Sequence, residues 1–316
     1  MKVGTFFSGI GSPEQALLNL GIKHEIEFAC DIDKYARQTY LKNFDCKKMY
    51  EDITTLDMKD LSYVDLLVFG FPCQAFSMAG KREGFEDTRG TLFYDALRYL
   101  KQHKPRYFIA ENVKGLISHD SGKTFQTIID CLALTVSKQM TLMPFDNLGY
   151  HVYYKVLNTK DFGIPQNRER IFIVGIRDDK DNNFRFSKEI PLEIKLKDLL
   201  QNNVNDKYYL SKKMIKNITT PSNGNWNSGK MTFNTDIAKC INARVHKMGR
   251  ADTDNYVISH SLYPRSGNPK QGGTGHLSKS DGTSYCLDTG NAQAIQKQNK
   301  IRRLTPIECE RLQGFP

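Results

Sequence analysis

The first thirty residues constrain the fold more than any other stretch of the chain. Val3-Gly4-Thr5-Phe6-Phe7 is an apolar run of strand length, and Ser8-Gly9-Ile10-Gly11 is a glycine turn. Ser12-Pro13-Glu14-Gln15 then opens a helix: Ser12 can cap it, Pro13 suits the first helical position and Gln15 completes a capping box. Ile26-Glu27-Phe28-Ala29-Cys30 is a second strand, ending at Asp31-Ile32-Asp33, with a helix from about Lys34. Strand, turn, helix and strand predict an α/β chain with a parallel sheet. The glycines let backbone approach a ligand, and the helix N-terminus offers it N–H groups.

Asp31 follows Gly11 by about 20 positions, where dinucleotide folds hold a ribose. The turn departs from G-x-G-x-x-G, because Glu14 stands three residues after Gly11. An acid there suits a ligand carrying positive charge, such as the sulfonium and amino groups of S-adenosylmethionine, better than a pyrophosphate.

Val64-Asp65-Leu66-Leu67-Val68-Phe69 reads as a buried strand leading into Gly70-Phe71-Pro72-Cys73-Gln74-Ala75-Phe76-Ser77. Pro72 fixes its own φ and makes Phe71 extended, so Cys73 is held in one turn. Taken alone, a free cysteine reads as a small buried hydrophobe. Its surroundings change that reading. Arg106-Tyr107-Phe108-Ile109-Ala110 is another strand, and it ends in Glu111-Asn112-Val113. Ligands of open α/β sheets bind outside the carboxyl ends of the strands, so the glycine turn, Asp31, Cys73 and Glu111 are expected along one edge. Residues 81–90 are polar, glycine-punctuated and expected to form a mobile loop. A helix is expected over Leu92–Leu100. Two further strands, Gly149–Leu157 and Arg170–Ile176, bracket an Arg-rich stretch, Asp161–Arg170. Its guanidiniums would stabilise a thiolate or an anionic ring if they lie near one.

Composition narrows the classes. No apolar run approaches the ~18 residues of a membrane span, and the N-terminus lacks a signal-peptide layout, so a cytoplasmic protein is expected. Seven scattered cysteines without a C-x-x-C pair argue against zinc, any other structural metal and a disulfide framework. A net charge of +10 favours a polyanionic partner. Beyond Asp178 periodicity fades into Gly- and Asn-rich loops with interleaved Lys and Arg, which reads as a loop-rich, mainly β second domain in contact with nucleic acid.

Taken in order, Phe6-Phe7-Ser8-Gly9-Ile10-Gly11, Gly70-Phe71-Pro72-Cys73-Gln74, Glu111-Asn112-Val113, Gln166-Asn167-Arg168-Glu169-Arg170 and the run from Arg303 to Pro316 resemble the cytosine-5 DNA methyltransferases of bacterial and phage restriction-modification systems. The resemblance implies a Rossmann-like S-adenosylmethionine-dependent methyltransferase domain (1–179), a smaller, mainly β, loop-rich target-recognition domain (180–300) and a return segment packing on the catalytic domain (301–316). It implies that Cys73, Glu111 and Arg168 are catalytic. Phe7 would stack on the adenine and Asp31 would take the ribose. Asp52 and Ile53 would line the adenine pocket, Pro72 and Leu92 would border the cofactor, and Gly9, Gly11 and Ile32 complete its site. Gln74, Ser77, Arg89 and Arg170 would contact DNA. The implied partners are double-stranded DNA and a cognate restriction endonuclease.

This chain departs from the family pattern in three places: Asp31 where Glu is usual, Ser12 where a second glycine is usual, and Cys286-Leu287 where the recognition domain commonly has Thr-Leu. The family continues past Gln313-Gly314-Phe315-Pro316 into a segment that helps form the cofactor pocket, so a fragment, or a second polypeptide supplying that segment, is expected. Two other readings of the same residues are a tRNA cytosine-5 methyltransferase and a catalytically silent DNA-binding or partner subunit.

Overall fold

The computed structural model describes residues 1–72, 92–136, 148–179, 183–211 and 302–316, with the backbone of short strands at 139–140, 284–285, 294–297 and 300–301. The first ten strands are β1 (Lys2–Phe6), β2 (Glu25–Cys30), β3 (Met49–Tyr50), β4 (Leu66–Phe69), β5 (Tyr107–Val113), β6 (Ala133–Val136), β7 (Gln139–Met140), β8 (Tyr150–Asn158), β9 (Gln166–Asn167) and β10 (Glu169–Arg177). Nine of them form one sheet, in the order β3-β2-β1-β4-β5-β10-β8-β6-β7. Neighbours from β3 to β5 are parallel, and β10 enters antiparallel to β5. This is the α/β class expected from the opening βαβ pattern, and it matches the Rossmann-like domain implied by the resemblance; the antiparallel β10 makes the sheet mixed where a parallel one was expected.

Alternation within β4 separates two cores, as a period of two requires. Leu67 and Phe69 join one that includes Phe93, Ala96, Leu97 and Leu100 of α3 (Leu92–His103) and Ile128, Ile129 and Leu132 of α4 (Lys123–Leu132). Leu66 and Val68 join the other, with Leu17 of α1 (Ser12–Asn19) and Val3. The sheet is therefore covered on both faces, which explains why β4, Leu-Leu-Val-Phe, is apolar throughout. The α3 residues fall at the i, i+3, i+4 spacing that made this helix legible.

Local signals differ from expectation in two places. The α1 N-cap is Gly11, in the left-handed region at φ 93°, with no side-chain cap; Ser12 already lies inside the helix, so the expected Ser12 cap and Gln15 box do not form. Strand β5 runs on through Glu111, Asn112 and Val113, so these residues belong to the strand. By contrast, Asp33 caps α2 (Lys34–Asn43) through Tyr35 N and Ala36 N, and that helix begins where expected.

The chain divides into two compact units, 1–156 with 170–187, and 157–169 with 188–316. Residues 157–169 and 301–316 group with the second unit. In the second unit β9 pairs in parallel with β11 (Ser284–Tyr285), and β12 (Ala294–Lys297) pairs antiparallel with β13 (Lys300–Arg303). Its last helix, α5 (Pro306–Arg311), starts in a Thr305/Glu308 capping box. Glu308 and Arg302 form a buried bidentate pair, at 2.7 and 2.8 Å. Gln201 N donates to the same carboxylate at 2.7 Å, and Thr305 Oγ1 donates to Gln201 Oε1 at 2.6 Å. These bonds join the two ends of the long stretch between 201 and 302. Among the described residues no helix is long and apolar enough to cross a membrane.

Candidate active site

Register places the chemistry-bearing positions of the first unit. Phe6 pairs with Cys30 and with Phe69, and Phe69 pairs with Ala110. Phe7, Asp31 and Gly70 follow the last residues of β1, β2 and β4, and Glu111 follows Ala110 within β5.

The glycine turn and the acid meet directly. Gly9 N donates to Asp31 Oδ2 at 2.7 Å, and Asp33 N donates to Asp31 Oδ1 at 2.8 Å. Phe7, Gly9 and Gly11 all have positive φ. A side chain at Gly9 would meet nothing within 4 Å, whereas a Cβ at Gly11 would lie 2.2 Å from the Phe44 ring. Gly9 thus lines an open cradle, while Gly11 is required for packing. Arg37, which sequence reasoning missed, braces the other side of the cradle: its guanidinium donates to the carbonyls of Asp31 and Ile32 and pairs with Glu51 at 2.8 Å.

The Gly70–Phe71–Pro72 turn leads toward Cys73. Asn112, buried on β5, donates to the Phe71 carbonyl at 2.8 Å and so ties the turn to the strand carrying Glu111. A Cβ on Gly70 would come within 3.3 Å of Glu111 Oε2, so glycine gives that carboxyl room beside the turn. The other oxygen, Glu111 Oε1, lies 3.0 Å from Arg170 Nε, with the two side chains 28% and 13% exposed. Glu111 pairs across the ladder with Phe172, and Arg170, two residues away, lies on the same face. Among the described residues, Arg170 is therefore an arginine beside Glu111.

Arg168 belongs to the second unit. Its backbone is laced to the end of β8: Arg168 N donates to Asn158 Oδ1 at 3.0 Å, and Asn158 Nδ2 donates to Asn167 Oδ1 at 2.6 Å. Gln166 is buried and donates to the Leu312 carbonyl at 3.2 Å. No local pattern in the sequence singled out Asn158.

The remaining cofactor candidates differ in setting. Ile32 is 77% exposed and Phe7 half-buried, whereas Ile53 lies in the core at 3%. Asp52 caps the turn 53–55, and the Thr54 hydroxyl and N–H bonded to its carboxylate hold it below the usual carboxylate range. Leu92 packs half-buried against the core, and Pro72 is exposed. Cys73, Gln74, Ser77, Arg89, the 81–90 loop and Cys286-Leu287 lie outside the described residues, apart from backbone at neighbouring strands.

The profile of the family described as C-5 cytosine-specific DNA methylase matches residues 1–316. The chain belongs to this family. Among its relatives, the orphan methyltransferase M.SPRI of Bacillus phage SPR is 33% identical over 403 residues, covering 100% of this chain and 88% of the relative. The type II methyltransferase M.HpaII of Haemophilus parainfluenzae is 37% identical over 320 residues, covering 98% and 78%. A solved DNMT2 structure from Spodoptera frugiperda superposes with a TM-score of 0.64 at 18% identity, over 100% of this chain and 88% of that one; at this identity it speaks for the fold alone.

As a C-5 cytosine-specific DNA methylase, the protein is a DNA (cytosine-5-)-methyltransferase that uses S-adenosylmethionine. The cradle fits such a donor: it has open space at Gly9, an exposed aliphatic side chain at Ile32 and an anchored carboxylate at Asp31. Each carboxylate oxygen can accept a second hydrogen bond, so Asp31 retains capacity for ribose hydroxyls while holding the turn.

Proposed function

We propose that the protein methylates C5 of a flipped cytosine within a specific short duplex sequence, through a covalent bond between Cys73 and cytosine C6. The observation that carries this reading is the Glu111 carboxyl, held by Arg170 on one oxygen with the other beside the Gly70–Phe71–Pro72 turn that leads to Cys73.

The chemistry requires such a pair. Cytosine C5 is too electron-poor to take a methyl group until a nucleophile adds at C6. A free thiol is only a few per cent thiolate at neutral pH, and a nearby guanidinium raises that fraction; Arg168 is assigned that role. As the Cys73 Sγ–C6 bond forms, the ring electron pair moves to C5 and charge builds toward N3, where Glu111 shares a proton. S-adenosylmethionine supplies an electrophilic methyl on sulfonium. C5 would take that methyl as the sulfonium S–CH3 bond breaks and its electron pair returns to sulfur, leaving the thioether; a base then removes the C5 proton, and the C5–H electron pair expels Cys73.

A base inside a duplex must swing out to meet a recessed thiol, at a cost of a few kcal/mol. Gln74, Ser77 and Arg89 are assigned to the gap and the phosphates, and residues 180–300 to target recognition, consistent with the +10 charge. Phe7, Gly9, Gly11, Asp31, Ile32, Asp52, Pro72 and Leu92 form the cofactor surface of the proposal, with Ile53 supporting it from the core.

The test is single-base mapping of 5-methylcytosine in plasmid DNA exposed to the protein, with tRNA as a parallel substrate. Methylation at one short duplex sequence, lost in Cys73→Ala with DNA binding retained, is the expected result. Normal turnover by Cys73→Ala, or methylation of tRNA alone, would sink the proposal.

A further inference from the structure

Glu14 has no part in the chemistry above, yet it is fully buried in the first turn of α1. Its Oε1 accepts the Thr5 hydroxyl at 2.7 Å and the Tyr40 hydroxyl at 2.6 Å. Thr5 and Tyr40 are themselves buried, and Glu14 Oε2 takes no hydrogen bond among the described residues. The position that sequence reasoning turned toward a cationic ligand is therefore turned into the protein.

Burial pushes the Glu14 carboxyl above its ordinary range, against the hydrogen bonds from Tyr40, Thr5 and its own backbone N–H. Enclosing such a group is costly, and an apolar side chain of similar volume often serves stability as well or better. Stability alone thus gives no reason for an acid here.

Geometry gives one. The three side chains come from β1, α1 and α2, which lead respectively into Phe7, out of Gly11 and away from Asp31 and Asp33. Tyr40 also packs on Phe44, with ring centroids 5.2 Å apart, and Phe44 is the ring that occupies the space beside Gly11. Glu14, Tyr40, Phe44 and Gly11 therefore close a circuit behind the turn. That turn carries three consecutive odd-numbered residues at positive φ, Phe7, Gly9 and Gly11. A backbone in such a state persists only where its surroundings over-determine it.

We propose that Glu14 is a positioning residue for the methyl donor: by gathering the Thr5 and Tyr40 hydroxyls on one oxygen it sets the pose of the Phe7–Gly11 turn, and with it the affinity for S-adenosylmethionine. The inference rests on the cofactor role proposed for that turn, so its test includes a variant of the turn itself.

The full chain is assayed with plasmid duplex DNA for kcat, KM for S-adenosylmethionine and KM for DNA, with calorimetric titration of S-adenosylmethionine as a readout independent of turnover. Tyr40→Phe, which deletes one hydroxyl, is expected to raise KM and Kd for the donor by roughly 3–10-fold, the worth of one net hydrogen bond. Glu14→Ala, which removes both bonds, is expected to raise them by about 10-fold or more. KM for DNA stays within about twofold, since the hydroxyl bonds of this network lie behind the donor turn. Glu14→Gln restores most of the affinity, because its carbonyl still accepts both hydroxyls and its NH2 occupies the position of Oε2.

Unchanged donor affinity in Tyr40→Phe and Glu14→Ala, with only the melting temperature lowered, would overturn the proposal. Equal rises in both KM values would overturn it as well. If Glu14→Ala does not fold, Tyr40→Phe and Glu14→Gln decide. Gly9→Val separates the role of the turn from that of Glu14: donor binding unaffected by Gly9→Val refutes the role of the turn, whereas binding lost there but intact in Tyr40→Phe refutes only the role of Glu14.

Discussion

Replacing Arg170 by Ala tests whether Glu111 works as a held carboxyl. The guanidinium lies 3.0 Å from Glu111 Oε1 and is 13% exposed, with the carboxylate at 28%, so both partners are largely shielded from water. A hydrogen bond to a charged group contributes about 1.5–3 kcal/mol net. If that bond fixes Glu111 for charge building at N3, its loss appears in the chemical step as roughly a 10–150-fold fall in kcat, at 1.4 kcal/mol per factor of ten. The single-turnover rate of methyl transfer from labelled S-adenosylmethionine to saturating plasmid DNA measures this directly. KM for the donor should be unchanged, because Arg170 lies on β10 and the turn proposed to hold the donor follows β1. Arg170→Lys should recover only part of the rate, since lysine lacks the planar guanidinium fork. If Arg170→Ala keeps a single-turnover rate within about threefold of the parent while weakening DNA binding, the pair does no work in the chemical step. Arg170 would then be a DNA contact only.

Glu308→Ala should cost about 3–5 kcal/mol, because it strands the buried Arg302 guanidinium without its carboxylate; urea denaturation reads this, and a loss below about 1 kcal/mol would contradict the burial argument. Gly11→Ala should destabilise by about 1–3 kcal/mol or more, through its clash with Phe44 as well as its backbone, whereas Gly9→Ala should cost only about 1–2 kcal/mol, since it meets open space; equal melting temperatures for the two variants would argue against this packing. Glu27 is held below the ordinary carboxylate range by its hydrogen bond from Lys47, with Lys2 adding to it. Because a depressed carboxyl stabilises the fold above its unfolded value and loses that contribution as pH falls, Lys47→Met should lower the melting temperature at pH 7 and converge with the parent below the usual carboxylate range. A difference independent of pH would exclude the pair as its source.

The alignment of Phe7, Asp31, Gly70 and Glu111 was legible because each follows an apolar run of strand length, and parallel strands bring their carboxyl ends to one edge. Helix α3 was legible for an equally local reason, its 3.6-residue apolar period. The cap of α1 does not follow its local sequence signal. Ser12-Pro13-Glu14-Gln15 satisfies the local rule, but Gly11 with its left-handed backbone already occupies the cap position, which is decided by packing against Phe44.

Sequence by itself determined the sheet class, the family and the strand ends at which chemistry would sit, because these follow from periodicities and motifs that are local along the chain. That Arg170 faces Glu111 was beyond it, because alternation along one strand does not say which residue of another strand lies opposite. Only the antiparallel register of β10, which sets Phe172 opposite Glu111, brings Arg170 to that carboxyl within the first unit. The direction of Glu14 was equally hidden, since its partners Thr5 and Tyr40 come from elements that meet only once the sheet and helices have packed.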